Sequence, residues 1–484
     1  MQVQTTPNVG YIRDELALSL PTYTMILDSI VGQKAVKDKR ELYLPRPNAA
    51  DRSNENMVRY EKYVERAVYY NYCRRTIDGL VGQVFMRQPV VECPEIMQSV
   101  VKNATGNGVS LELLAKQAMN FTLALSRGGV FVDYPRVGDG VTSIADLESG
   151  YIRPTINFVS PLSIINWRTR EIGAESVLSL VVIAEQYCAY DDGFEMKQGN
   201  QWRVLGLDEN NNYYQEIWKL KKTKNGRELK NQYYREELIY PSGSNGQMLN
   251  FIPFQFMGTI NNDSNPDNPN FADLASINIA HYRNSADYEE SVYVSGQPTL
   301  VIIGVDDQWN KDNQGTAQVG SLGGIALPKE GDAKFIQPTP NTLVKEAMEM
   351  KVKQMVALGA RMVEARNVQR TATEATIDSV SESSILASTA RNVSEAIERA
   401  FKWAAEFVGI NPELVSFKLN TDFEISKLKS DERRQLVEEW QKGLLTFEEA
   451  RAVMTKAGLA TEDSQIAKQK IDAEAGTVLE DLTI

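Results

Sequence analysis

The chain has 484 residues, of which 42% are hydrophobic and 24% charged, and its formal net charge is −12. The length predicts two to four compact regions, and the composition is typical of a soluble globular protein. Tight binding of nucleic acid through its phosphates needs a basic surface, which an acidic chain of this kind does not provide. No apolar run reaches the length of a membrane-spanning helix, and the N-terminus has no secretory pattern, so we expect an intracellular protein without a membrane partner.

The sequence pattern predicts helices followed by strands in the first half of the chain. Residues 1–50 look mixed and loop-rich, and a single helix is predicted over 54–85, followed by another over 110–126. Asp/Asn/Gly turns then separate strand-like runs. These predicted strands cover 128–135, 155–158, 176–184, 202–205, 213–220 and 247–256. The fold class is therefore predicted to be α+β, with a mostly antiparallel sheet.

The Asn/Asp/Pro-rich stretch 261–270 marks a boundary, and the pattern changes after it. Residues 271–294 predict a helix about 36 Å long at 1.5 Å per residue, with few large apolar side chains. A block rich in strand and turn signals, 295–341, separates it from a second helix over 342–366. That helix carries an apolar stripe at spacings of three and four, formed by Val344, Met348, Val352, Met355, Gly359 and Met362.

Three elements are predicted beyond a polar stretch that follows the second helix. Apolar residues from Leu386 to Val408 repeat at helical spacing and end at Gly409, a suitable residue just after a helix. Residues 417–425 read as a strand. Thr446 and Glu449 fit a capping box at the start of a helix in the C-terminal tail.

Catalytic and metal sites are not predicted. Cys73, Cys93 and Cys188 form no CxxC pair, so free buried thiols are expected, and His281 is the only histidine. The stretch 261–270 lacks the glycine and glutamate that a calcium loop requires. The sequence also has no phosphate-binding GxxxxGK[ST] loop, GxGxxG fingerprint or GxSxG elbow. We therefore expect no enzyme activity and no cofactor.

The two long predicted helices flank the strand-containing block. The chain therefore leaves the first half of the protein along one helix and returns to it along the other. Neither has an apolar face wide enough to form a core on its own, and identical neighbours in a ring could cover the remaining surface. The alternative is that both helices pack across the sheet of the first half. The spacing of the apolar residues does not decide between these arrangements.

This order of elements resembles that of the portal proteins of tailed bacteriophages. Specific segments are also similar to that group: YYNYCRRTIDGLVGQVF at 69–85, GGVFVDYP at 128–135, DLASINIAHYRNSADYEESVYVSGQPTLVIIG at 273–304 and LGARMVE at 358–364. The similarity covers residues 55–425 and is weaker at both ends. These segments are structural, so they indicate a family rather than a reaction.

The resemblance implies a division of the chain into the parts of a portal subunit. These would be an α+β wing (1–270), stem helix 1 (271–294), a β-rich clip (295–341), stem helix 2 (342–366), a tunnel loop (367–378), a long channel helix with a strand returning to the wing (379–425) and a helical crown (426–484).

The function that the resemblance implies is a ring, usually of twelve subunits, at one vertex of the capsid in the virion. Such a ring conducts double-stranded DNA during packaging and ejection. Its implied partners are the terminase large subunit, which would hydrolyse ATP, then head-tail adaptor or tail proteins, and the major capsid and scaffold proteins. Assembly would take place in the host cytoplasm. The alternative is another virion assembly component, such as an adaptor or minor capsid protein, and a nucleic-acid-processing enzyme is a more distant one.

Two sets of residues become candidates on this basis. The DNA channel and tunnel loop would include Arg361, Arg366, Asn367, Arg370, Thr371 and Thr373. The subunit interface would include Tyr282, Tyr288, Met348, Met355 and Met362. The alternatives are a solvated helix end for the arginines and packing within one chain for the tyrosines. For His281, an interhelical or surface contact is favoured over a pH-sensing role.

Overall fold

The computed structural model describes residues 8–134, 153–223, 228–243, 246–296, 299–304, 307–312, 331–336, 342–361, 384–421, 423, 430–442, 444–456, 460 and 465–471. The chain divides into two compact units, residues 1–421 and 422–484. In the described ranges the first unit is a mixed α+β structure, as predicted, and the second is helical.

Six helices open the first unit. They are α1 (Asp14–Val31), α2 (Gln33–Asp38), α3 (Asn54–Arg66), α4 (Tyr72–Val84), α5 (Gln98–Lys102) and α6 (Leu111–Leu125). The expectation of a loop-rich first 50 residues was wrong. Helix α1 forms despite an internal proline, Pro21, because Leu16, Tyr23 and Ile26 are buried against the rest of the unit. Tertiary packing here outweighs the local cost of proline.

The single helix predicted over 54–85 is two helices with a break between Arg66 and Tyr72. The periodicity of Tyr60, Val64, Val68 and Tyr72 crosses this break and concealed it. Helix α4 begins anew at Asn71, whose side chain accepts a hydrogen bond from the backbone N–H of Arg74 at 2.8 Å. An Asn at this position satisfies a donor that the start of a helix leaves open.

Two antiparallel sheets form the centre of the first unit. A three-stranded sheet has the order β3-β2-β9, from Thr155–Val159, Arg127–Asp133 and Phe254–Gly258. A five-stranded meander contains β4 (Ile164–Ile172), β5 (Glu175–Asp191), β6 (Met196–Leu207), β7 (Tyr213–Lys222) and β8 (Glu228–Ile239). At Gly129 an added side chain would collide with the ring of Phe254, so glycine permits the close approach of β2 and β9.

Strands β2, β3, β5, β6 and β7 lie at predicted positions, whereas the edge strands β4, β8 and β9 were missed or predicted with the wrong start. The run predicted over 247–256 begins its strand only at Phe254. Strands β4 and β8 were not predicted, although they form the two edges of the meander. Most of β8 is exposed and charged, which guards an edge against pairing with other chains and weakens the alternating pattern of a strand.

The helix predicted from Leu386 to Val408 is the most deeply buried helix of the first unit's described part. We number it α10 (Ile385–Phe407), and it packs against α6, β2, β3 and β9. The hydroxyl of Ser384 accepts from the N–H of Ala387 at 3.1 Å and caps its start. At its end Gly409 has φ 80°, which confirms the predicted role of this glycine.

The predicted return strand also forms, though it is shorter than expected. Strand β12 (Ser416–Lys418) pairs antiparallel with β1 (Val90–Glu92), so the chain comes back to its first half after α10. Residues 424–425, the end of the predicted strand, lie outside the described residues.

A buried arginine connects the two sheets. The guanidinium of Arg127 on β2 lies between the rings of Trp167 and Phe256, 4.2 and 4.5 Å from their centroids. It donates to the carbonyl of Ser264 at 3.0 Å. Burial lowers the pKa of Arg127 to about 10, which leaves it charged at neutral pH. The polar stretch 261–270 is thereby attached to the body.

Between β9 and α10 the chain forms two long helices and a small strand pair. The elements are α7 (Ala272–Ser295), β10 (Thr299–Ile303), α8 (Asp307–Asp312), β11 (Asp332–Ile336) and α9 (Thr342–Arg361). Strands β10 and β11 pair antiparallel, with Thr299 opposite Ile336. The chain therefore enters and leaves the strand pair at the same end, and α7 and α9 run in opposite directions.

The second unit contains α11 (Ser430–Gln441), α12 (Phe447–Lys456) and helical residues 465–471. The predicted capping box is confirmed at the start of α12. Glu449 N–H donates to the hydroxyl of Thr446 at 3.2 Å, and Thr446 N–H donates to the Glu449 carboxylate at 2.8 Å. The hydrogen bonds that the Thr446 N–H and hydroxyl donate to the carboxylate lower the pKa of Glu449.

Candidate assembly site

The two long helices, α7 and α9, are the candidate site, since the interface residues predicted from sequence fall on them. They pack side by side, and the apolar stripe of α9 faces α7 and the body. Met355 is 1% exposed within its own chain. Met348 lines a cavity together with Tyr288 of α7. In the single chain Met355 is buried and Met348 is half-buried, and their predicted contact with a neighbouring subunit stays a prediction.

Asn278 explains how a helix with few apolar residues is held. Its side-chain oxygen lies within hydrogen-bond distance of the Tyr69 hydroxyl, at 2.9 Å, and of the Cys73 N–H, at 3.3 Å. Its amide donates to the carbonyl of Tyr70 at 2.8 Å. Asn278 is fully buried and satisfies backbone groups that the break between α3 and α4 would otherwise leave open.

A second polar contact fixes the same break about two turns further along α7. The hydroxyl of Ser285 donates to the carbonyl of Val68 at 2.5 Å and lies 3.2 Å from the N–H of Val68. Beyond it, Tyr63 donates to the carboxylate of Asp287 at 2.6 Å, and Arg66 pairs with Glu290. Helix α7 therefore attaches to the body largely through polar side chains, which is why it looked thinly apolar in sequence.

The predicted interface tyrosines occupy different environments. Tyr282 is 1% exposed and meets Tyr69 edge-on, with ring centroids 6.0 Å apart. It leaves no surface for a second subunit, so packing within one chain applies to this residue. Tyr288 is half-buried beside Met348.

His281 is a residue of α7, and its ring lies against Tyr70 and Tyr72 at the break between α3 and α4. It is 3% exposed, and its ring meets those of Tyr70 and Tyr72 edge-on, with centroids 5.5 and 5.9 Å apart. The ring borders a cavity of about 280 Å³ between α7 and α9. Its Nδ1 has no hydrogen-bond partner within the described ranges. Burial, and secondarily the charge of Lys351, lower the pKa of His281 below its ordinary value of 6.5.

This environment predicts a pH-dependent stability. The unfolded chain takes up a proton at His281 near pH 6.5, whereas the folded chain does so only at lower pH. The free energy of unfolding should therefore fall as pH decreases through 6.5 towards the folded-state pKa. Since this is the only histidine and carboxylates titrate lower, His281→Gln should flatten the dependence between about pH 7.5 and 5.5. Urea unfolding of both proteins measures this, and an unchanged slope in the variant would contradict it.

The sequence analysis did not identify the exposed apolar residues of the helix pair. Met350 and Val356 on α9 are 62% and 61% exposed, and Val292 and Val294 near the end of α7 are about half exposed. These four exposed apolar residues of the helix pair are here called the outer face. Large exposed apolar surfaces mark association sites more often than isolated apolar residues do. The signal was present in sequence as apolar residues outside the inward stripe.

The predicted channel residues cannot be placed. Arg366, Asn367, Arg370, Thr371 and Thr373 lie outside the described residues, as does Met362. Arg361 ends α9, and its side chain is likewise outside the described part.

The predicted cysteine and loop environments are resolved in the described ranges. The three thiols are free, but only Cys73 is buried, while Cys188 is exposed and Cys93 intermediate. The buried thiol expectation was therefore wrong for Cys188. In the polar stretch, the carboxylate of Asp267 accepts from the N–H groups of Thr259 and Ile260, both at 2.9 Å. This carboxylate holds the loop together.

The described residues contain neither a candidate membrane span nor a candidate metal site. None of the helices there combines the length and the apolar character needed to cross a membrane. The same ranges hold no cluster of three or more His, Cys, Asp or Glu side chains placed to bind a metal ion.

One family model matches the chain, over residues 270–408, and it describes a domain of unknown function, DUF4055. The match begins just before α7 and ends just after α10, and it spans less than half of the chain. No curated protein sequence matches.

Distant likenesses exist among solved structures. The neck of a native gene transfer agent particle, computed with C12 symmetry, contains a chain 13% identical over 81% of this chain and 90% of that one, with a TM-score of 0.39. Chains of the neck of an empty particle, computed with C6 symmetry, and of the native virion are 13% and 12% identical. Each covers 90% of this chain and all of that one, with a TM-score of 0.41. A TM-score below 0.5 does not support a conclusion about function.

Proposed function

We propose that this chain is a virion structural protein of a tailed-phage type, and specifically a portal subunit. Twelve copies would form a ring at one capsid vertex and conduct double-stranded DNA. The observation that carries the proposal is the excursion from α7 to α9, in which two antiparallel helices support a strand pair and present an outer face of exposed apolar residues. This is the stem and clip order that the sequence segments also resemble.

The charge of the chain supports a conduit rather than a DNA-binding protein. Each phosphate that a protein neutralises adds affinity and slows sliding, so a net charge of −12 suits a channel through which DNA must pass. Arg361, Arg366 and Arg370 would then supply local positive charge near the constriction. ATP hydrolysis would belong to the terminase, and adaptor, tail, capsid and scaffold proteins would be the other partners.

Native mass spectrometry with negative-stain imaging of the purified chain tests the proposal. Twelve chains of 54.2 kDa give a ring of about 650 kDa, with an axial hole wide enough for a DNA duplex. An adaptor would instead stay monomeric alone and assemble only on a ring formed by another protein. A chain that remains monomeric with capsid and scaffold proteins present would overturn the portal proposal.

A further inference from the structure

A fully exposed phenylalanine lies at the tip of the hairpin formed by β5 and β6. Phe194 belongs to the four-residue turn Asp192–Glu195 and has its whole side chain in solvent. Met196 and Tyr190 beside it are 58% and 49% exposed. Aromatic and methionine side chains are enriched at the centres of protein interfaces, where they contribute most of the binding energy.

The turn that presents Phe194 is held by several hydrogen bonds. One carboxylate oxygen of Asp192 accepts from the N–H groups of Phe194 and Glu195, at 2.9 and 2.6 Å. Asp191 accepts from the N–H of Gly193 at 2.8 Å, and Gly193 has φ 90°, a conformation that favours glycine. Because these hydrogen bonds fix the backbone of the turn, little loop entropy is lost when the tip binds.

An open groove of about 890 Å³ lies at the other end of the same strand. Val177 and Leu178 at the start of β5 form one wall, and Phe251 and Trp403 form another with ring centroids 5.4 Å apart. Arg399 of α10 also lines the groove and donates to the side-chain oxygen of Gln255 at 2.6 Å. Within the described part of the chain, no carboxylate forms an ion pair with Arg399.

The tip cannot reach the groove of its own chain. Leu178 and Asp191 are thirteen residues apart on one strand, so about 40 Å separates them at 3.3 Å per residue. Both features are fixed to the same five-stranded sheet. A second molecule must therefore supply the contact.

We propose that Phe194 inserts into this groove on a second copy of the chain, in a head-to-tail contact. Besides Phe194, the tip carries Asp191, Asp192 and Glu195, and these carboxylates would meet Arg399 at the groove. Asp263, Glu406 and Lys402 also line the groove, and Lys402 pairs with Glu398, so the attraction is local to Arg399. A contact between two different surfaces of the same chain propagates around a ring when the rotation closes. This inference rests on the proposed ring.

Cysteine cross-linking tests the contact directly. Met196→Cys beside Phe194 and Ser176→Cys at the groove are combined in a chain that keeps Phe194 and also carries Cys93→Ser and Cys188→Ser, and mild oxidation is followed by a non-reducing gel. We expect a ladder of covalently joined chains, because each copy offers both cysteines to different neighbours. Each single variant should remain a monomer on the gel. A double variant without a ladder would overturn the proposal, and so would a dimer from Met196→Cys alone, which indicates contact between two tips.

Phe194→Asp separates this inference from the proposed function. Since the side chain is fully exposed, the variant should unfold at the same urea concentration as the unmodified chain, while self-association weakens about ten-fold or more. Tyr234→Asp, at an exposed aromatic position on β8, is the matched control and should assemble normally. If Phe194→Asp forms complete rings as readily as the control, the hairpin contact is wrong and the ring proposal stands.

Discussion

Replacing both Met350 and Val356 with aspartate should prevent ring assembly while leaving the folded chain intact. These side chains belong to the outer face and are more than 60% exposed, so the change costs little in the isolated chain. In a ring they would be buried between neighbouring helix pairs. Two carboxylates in that apolar contact would each lose hydration without a partner, at several kcal/mol in total. Native mass spectrometry should then find a monomer where the unmodified chain forms the ring.

The control for this variant is Leu18→Asp. Leu18 is 81% exposed on α1, so the same chemical change is made on another helix outside the proposed interface. Leu18→Asp should assemble normally. Loss of assembly in both variants would mean that acidic substitutions hinder association in general, and complete rings from the Met350→Asp, Val356→Asp chain would exclude the outer face as the interface.

Asn278→Ala should strongly destabilise the folded chain, although it removes a polar side chain. The change leaves the Cys73 N–H without its buried partner. It also removes one of two donors to the Tyr70 carbonyl, which still accepts from the Tyr72 N–H, and an acceptor near the Tyr69 hydroxyl. An unsatisfied buried group costs about 1–3 kcal/mol and the other lost hydrogen bonds add to it, so a loss of roughly 2–4 kcal/mol is expected. Urea unfolding, followed by circular dichroism, measures the difference.

Asn284→Ala on the same helix is the matched control, because Asn284 is only half-buried and lies outside this network. It should change the free energy of unfolding by less than about 1 kcal/mol. Equal destabilisation by the two variants would mean that the helix, and not the hydrogen bonds of Asn278, accounts for the loss.

Several elements followed from local sequence alone. The capping box of Thr446 and Glu449, the helix end at Gly409 and the buried strands of both sheets formed where they were predicted. Each depends on neighbours in the chain: a cap needs residues three apart, and a buried strand needs a short run of apolar or β-branched residues. The inward stripe of α9 was also correctly located as an apolar face.

Contacts between residues far apart in sequence determined the other features of the fold. The break between α3 and α4 depends on Asn278 and Ser285, which lie more than 200 residues away in sequence. The periodicity of the neighbouring residues therefore predicted one continuous helix. Likewise, the spacing of Met348 and Met355 predicted an apolar face but not what covers it. That face packs within the chain, and the exposed Met350 and Val356 remain for a neighbour. Periodicity specifies which residues share a face, because it follows from helix geometry. Only the tertiary structure specifies the surface that each face meets, since that depends on chain segments brought together by folding.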